Sequence, residues 1–164
     1  MLSRLDRLVG RLEMTVIGLM IAIICCTVLL QVLFRYVFHS PLAWTEELAR
    51  YLQVWLMAVG AAIGVRAGMH FRLDVVHLVI PSGIIRYFRV AIHLATLLFI
   101  GMLVYYGTAI LETVQRQQSP AMNISMIFPY LAIPVGASLM GFHVIVKILQ
   151  ILRGDDLTAE EGSH

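Results

Sequence analysis

Side chains able to do chemistry are few in this chain, and the densest group stands in "PLAWTEELARYLQVWLMAVGAAIG", residues 41–64. Glu46 and Arg50 are four positions apart, acid first, the order that favours an ion pair on a helix. Glu47 adds a second carboxylate just before an apolar run. A proton or cation relay would need an acid in the middle of a span. These acids lie at the edge of one, so a self-sufficient pump is disfavoured. Cys25 and Cys26 are adjacent and lack the spacing and partners of a zinc or iron–sulfur site; they read as small apolar packing residues. His93 and His143 each stand inside a later apolar run. Two such histidines could hold a haem through axial nitrogens, or simply pack and hydrogen-bond. No nucleophile–base pair, P-loop or dinucleotide fingerprint occurs. Neither an enzyme nor a resident cofactor or metal is expected, and a net charge of +2 is too small to suggest nucleic acid.

The elements that must position these groups are membrane spans. The 164 residues are 60% hydrophobic and 13% charged, against roughly a quarter charged in a soluble domain. Met14–Phe34 carries no formal charge and is too long for a signal-peptide core, so it reads as a retained helix. Val90–Leu111 and Met126–Val146 are similarly uncharged. The run between Arg50 and Arg66 is too short alone to cross a core of about 30 Å, so its helix must begin near Trp44. The expected fold is a single all-α membrane domain over 1–164, with four spans at about 14–34, 44–65, 90–111 and 126–146. A short interfacial helix is expected within 68–83, and a solvated tail after Arg153. Ser40 and Pro41 suit the N-cap and first position of the second helix. Pro129 and Pro134 predict a bent beginning to the fourth.

Of 12 Lys and Arg, nine fall at the N-terminus, in the second loop and at the C-terminal end, and three on the other side. This bias predicts both termini in the cytoplasm. Trp44, Arg66, Arg72, Arg86 and Arg89 are candidate membrane-interface anchors, and Arg35 has the position of a terminal anchor on the first helix.

On a helical wheel Glu46, Arg50, Gln53, Met57, Gly60 and Gly64 share roughly 80° of arc. Charges at this depth normally face protein, and G-x-x-x-G admits a close neighbour. The stripe reads either as a seam to another polypeptide, or as headgroup-level charges with glycines packed inside the subunit.

Three blocks carry a resemblance: "QVLFRYVFHSPLAWTEELARYLQVWLMAVGAA" at 31–62, "RAGMHFRLD" at 66–74 and "SPAMNISMIFPYLAIPVGASLM" at 119–140. With the four-span layout, they resemble the small membrane (Q) subunit of tripartite ATP-independent periplasmic (TRAP) transporters. The resemblance implies a bacterial inner-membrane subunit without a substrate site of its own. Its partners would be a large elevator-type permease subunit, driven by sodium, and a periplasmic binding protein that delivers an organic acid such as a dicarboxylate or sialic acid. It would brace the scaffold of the large subunit within the lipid bilayer. The Glu46–Glu47–Arg50 block would belong to that interface, with Arg35, Gln53, Met57, Gly60 and Gly64 completing the candidate set. A haem-bearing anchor of a redox complex is the alternative reading. The solute is not legible in these residues.

Overall fold

A computed structural model describes residues 2–67 and 82–153. Among these residues, five helices follow one another: α1 Leu2–Tyr36, α2 Ala43–Arg66, α3 Ser82–Val114, α4 Ile127–Tyr130 and α5 Ala132–Arg153. Among the described residues, four segments are long and apolar enough to cross a membrane: Asp6–Tyr36, Ala43–Arg66, Val90–Val114 and Ile127–Ile151. The expected interfacial helix and Arg72 lie outside the described residues, as does the tail beyond Arg153.

Helices α1 and α3 begin earlier than the uncharged runs, at Leu2 and Ser82 instead of Met14 and Val90. Charge marks where hydrocarbon ends, not where helix ends. The Leu- and Arg-rich sequence ahead of Met14 propagates a helix readily.

The α1–α2 turn corrects the expected cap. Val37 and Phe38 donate their N–H groups to the Leu33 carbonyl, and Ser40 N–H returns to Phe34 O at 3.0 Å. His39 makes this possible by adopting a left-handed φ of 52°. The Ser40 N–H thus closes α1, and α2 begins further on, at Ala43. The N-cap of α2 is Leu42, without a side-chain cap bond. Thr45 Oγ1 instead donates to Leu42 O at 2.6 Å.

The last span is interrupted at Leu131, between α4 and α5. Pro134 has no N–H for the Tyr130 carbonyl, which is the expected cause of a break here.

The long helices stand side by side in the order α1, α2, α5, α3. The segment Ile127–Ile151, mostly α5, is the most buried of the four, whereas Asp6–Tyr36 is almost wholly outward. Val65, Ile100, Ala137 and Val144 form the core where α2, α3 and α5 meet. Glycines of α3 and α5 set the crossings. A Cβ on Gly136 would lie 2.7 Å from Ala58 Cβ and 2.9 Å from Ala58 O of α2. One on Gly107 would lie 3.1 Å from Ile133 Cγ2.

Candidate functional site

The polar residues of α2 divide between two faces. Glu46 and Arg50 are exposed and paired at 3.1 Å, an interaction worth about 0–1 kcal/mol where solvent reaches it. With Gln53 they line a groove of about 530 Å³ between α2 and α1, whose other wall includes Ile21, Cys25 and Gln31. Met57 is 66% exposed and borders a smaller furrow of about 290 Å³ beside Gly136 and Met140 of α5. Gly60 is half-buried against α1, where an added Cβ would meet only Ile17 Cδ1 at 3.9 Å; Gly64 is also half-buried. Thus Glu46, Arg50, Gln53 and Met57 form an exposed ridge, while the two glycines sink toward the subunit. Arg35 is exposed in the last turn of α1, and Trp44 in the first turn of α2. Cys25 and Cys26 are free and exposed on α1.

Glu47 turns the other way. It is 6% exposed. Its Oε2 accepts N–H bonds from Ala121 at 2.9 Å and Met122 at 3.0 Å. Its Oε1 accepts from the Tyr51 hydroxyl. One turn on, Trp55 Nε1 donates to Phe128 O at 3.0 Å. Glu47, Tyr51 and Trp55 therefore pin the segment between α3 and α5 to α2. That segment is folded on itself: Ser119 N–H donates to Ile124 O, Met126 N–H to Gln117 O, and Asn123 adopts φ 52°. The i, i+4, i+8 spacing of three hydrogen-bonding side chains was the signal for this clamp. Removing the acceptor should loosen it. Glu47→Ala strands two amide donors and a hydroxyl, each at a cost of up to about 1–3 kcal/mol where water does not replace the carboxylate. Hydrogen exchange should rise over residues 119–126, with Glu47→Gln intermediate. Unchanged exchange in Glu47→Ala would refute the clamp.

A second polar group joins the opposite helix ends. Arg66 Nε reaches Asp6 Oδ2 at 3.1 Å, its guanidinium lying over Gly10. His143 Nδ1 is 2.8 Å from Asp6 Oδ1, and Nε2 is 3.0 Å from Glu13 Oε1. Glu13 and His143 are buried. Sequence reasoning missed Asp6 and Glu13 because it began the span at Met14. Their seven-residue spacing, two turns on one face, was the available sign. Arg66, expected as an anchor, is tied into the protein. The backbone of Arg86 and Arg89 lies early in α3. His93 is buried in α3. Both ring nitrogens of His143 face carboxylates, which removes it as an axial haem ligand.

The family model for the DctQ component of tripartite ATP-independent periplasmic transporters matches residues 24–154. The sialic acid TRAP transporter permease protein SiaT of Haemophilus influenzae is 30% identical over 83% of this chain and 21% of its own length. The C4-dicarboxylate TRAP transporter small permease protein DctQ of Rhodobacter capsulatus is 34% identical, over 75% of this chain and 55% of its own. The ectoine TRAP transporter small permease protein TeaB of Halomonas elongata is 23% identical over 95% and 82%. The chain thus spans about a fifth of the first relative and about half of the second. Four apolar spans and a match covering most of them make this a multi-pass component of the bacterial inner membrane, a transporter part and not an enzyme. The chain belongs to the DctQ-component family of tripartite ATP-independent periplasmic transporters.

Proposed function

We propose that this chain is the small membrane subunit of a sodium-coupled, binding-protein-dependent secondary transporter for an organic acid such as a dicarboxylate or sialic acid. It braces the scaffold of a large elevator-type permease subunit and binds no solute itself. The observation that carries this reading is the family match over 24–154, together with longer relatives. In SiaT and in the isethionate TRAP transporter permease protein DctMQ of Oleidesulfovibrio alaskensis, the matching stretch is about a fifth of one permease chain. A stretch fused to a larger permease there has reason to dock on one here. Relatives named for sialic acid, C4-dicarboxylate and ectoine support a part that is not the solute selector.

The exposed ridge of Glu46, Arg50, Gln53 and Met57 is the proposed seam, with Arg35, Gly60 and Gly64 around it. Glu47 contributes from behind by fixing the loop. Gln53→Trp and Met57→Trp should abolish co-purification with the large subunit and uptake in proteoliposomes, while the isolated subunit stays folded. Leu94→Trp and Leu98→Trp, on the exposed face of α3, serve as controls. Full complex with both ridge variants would refute the seam. Sodium-driven uptake by this chain alone would refute the whole reading.

The charge bias supports cytoplasmic termini. Ser82→Cys, in a background lacking Cys25 and Cys26, should therefore react with an impermeant thiol reagent only from the cytoplasmic side. Periplasmic labelling would invert the topology.

A further inference from the structure

An imidazole between two carboxylates, inside an apolar protein, fixes a proton count. The His143 side chain is fully buried and those of Glu13 and Asp6 are 4% and 19% exposed. Nδ1 lies 2.8 Å from Asp6 Oδ1, and Nε2 lies 3.0 Å from Glu13 Oε1. Each contact needs a hydrogen between its heavy atoms. Ionised carboxylates only accept, and a neutral imidazole offers one N–H and one bare lone pair. With both acids ionised and the ring neutral, one contact would oppose lone pair to lone pair where water cannot intervene. The arrangement is satisfied by one further proton, carried on the ring or shared with a carboxylate.

We propose that Asp6, His143 and Glu13 form a binding site for a single proton, and that this proton holds the first turns of α1 against α5. The charges agree. An imidazolium and the Arg66 guanidinium balance Asp6 and Glu13, as a buried ionic cluster requires. The other charged neighbours oppose further protonation: Arg7 follows Asp6 on α1, and Lys147 lies one turn beyond His143 on α5. From α3 the titratable group is His93. The contacts of Gly107 with Ile133 and of Gly141 with Ile100 set its register, which puts His93 about one turn past His143. Asp6 and Glu13 precede the residues matched by the family model, so family membership does not account for the site. Raising the pH withdraws the proton and breaks one of the two contacts. The beginning of α1, which otherwise packs on α2, then separates from α5.

The test uses the full chain in lipid nanodiscs, labelled with ¹⁵N histidine. The His143 signals are identified by their loss in His143→Asn. Carboxylic-acid stretches are followed by infrared spectroscopy over the same pH range. A nitroxide on Ser3→Cys, in a Cys25→Ala, Cys26→Ala background, reports the start of α1. The expected result is a doubly protonated ring or a protonated acid at neutral pH. That signal should disappear on alkalinisation together with a severalfold rise in the mobile fraction of the label. In Glu13→Gln an amide can answer a neutral ring, so the ring should be neutral and the label insensitive to pH. A neutral ring with both acids ionised at neutral pH overturns the proton site. A titrating ring with a label that never responds overturns its role in holding α1. The native-sequence titration decides both points even where Glu13→Gln does not fold.

Discussion

Gly136→Val is expected to yield a subunit that no longer purifies as a single species, because α5 meets α2 backbone-first at this residue. The contact of even a single methyl would be with Ala58 Cβ at 2.7 Å, Ala58 O at 2.9 Å and Ala58 C at 3.0 Å. Two of those three atoms are main chain and have no rotamer to escape into. Gly136→Ala should already cost about 1–3 kcal/mol of overpacking, and the branched valine more. Chain contrast sharpens the test. A Cβ on Gly101 or Gly18 would meet nothing within 4 Å, so Gly101→Ala should be neutral or stabilising by up to about 1 kcal/mol through helix propensity. Ala58→Gly should partly rescue Gly136→Ala by removing one of the two methyls. Thermal aggregation in mild detergent, read with size-exclusion profiles, ranks the four variants. Equal behaviour of Gly136→Ala and Gly101→Ala would mean that this crossing does not exist as described.

Asp6→Ala is the second large effect. The carboxylate answers two partners at once, Arg66 through Oδ2 and His143 through Oδ1. Its removal leaves a guanidinium 30% exposed and a buried ring nitrogen without an acceptor. Loss of one member of a buried ionic cluster costs about 3–5 kcal/mol. The exposure of Arg66 places this case toward the lower end. Inactivation on heating should accelerate accordingly, since detergent-solubilised chains unfold irreversibly and their stability is read as a rate. Asp6→Asn should recover part of the loss, because an amide oxygen still accepts. A half-life at elevated temperature equal to that of the unaltered chain would refute the bridging role.

The four spans were legible because hydrocarbon excludes charge, and uncharged runs are visible in one dimension. Helix ends were less legible. Nothing in residues 2–13 distinguishes a helix in water from its continuation into lipid, so α1 gained its first turns only in three dimensions. Ser40–Pro41 has the residue types of a cap, but Ser40 N–H is drawn back to Phe34 by the left-handed His39. The turn that His39 makes carries the chain on, so α2 begins only at Ala43, beyond the reach of a Ser40 cap. For the site, the wheel placed Glu46, Arg50, Gln53 and Met57 together, and they do share an exposed ridge. The same wheel leaves Glu47, one residue and about 100° on, outside the stripe; the resemblance put it in the interface, but it faces a loop more than seventy residues later in the chain. The close-approach glycine was sought in Gly60 and Gly64. A close approach to another helix's backbone lies at Gly136 instead, because what matters is the shape of the facing helix, and that is absent from a single periodic pattern.

The side-by-side order α1, α2, α5, α3 has a consequence for the life of the subunit before assembly. A closed bundle hides one stripe of every helix, whereas a palisade of helices keeps two broad sides turned outward. Large apolar side chains such as Leu19, Leu29, Met57, Leu98 and Phe99 remain outward on these helices. Lipid tails are as apolar as these side chains, so the two sides rest in the bilayer with no hydrophobic drive to associate, and whatever docks on one must win by shape and polar contact.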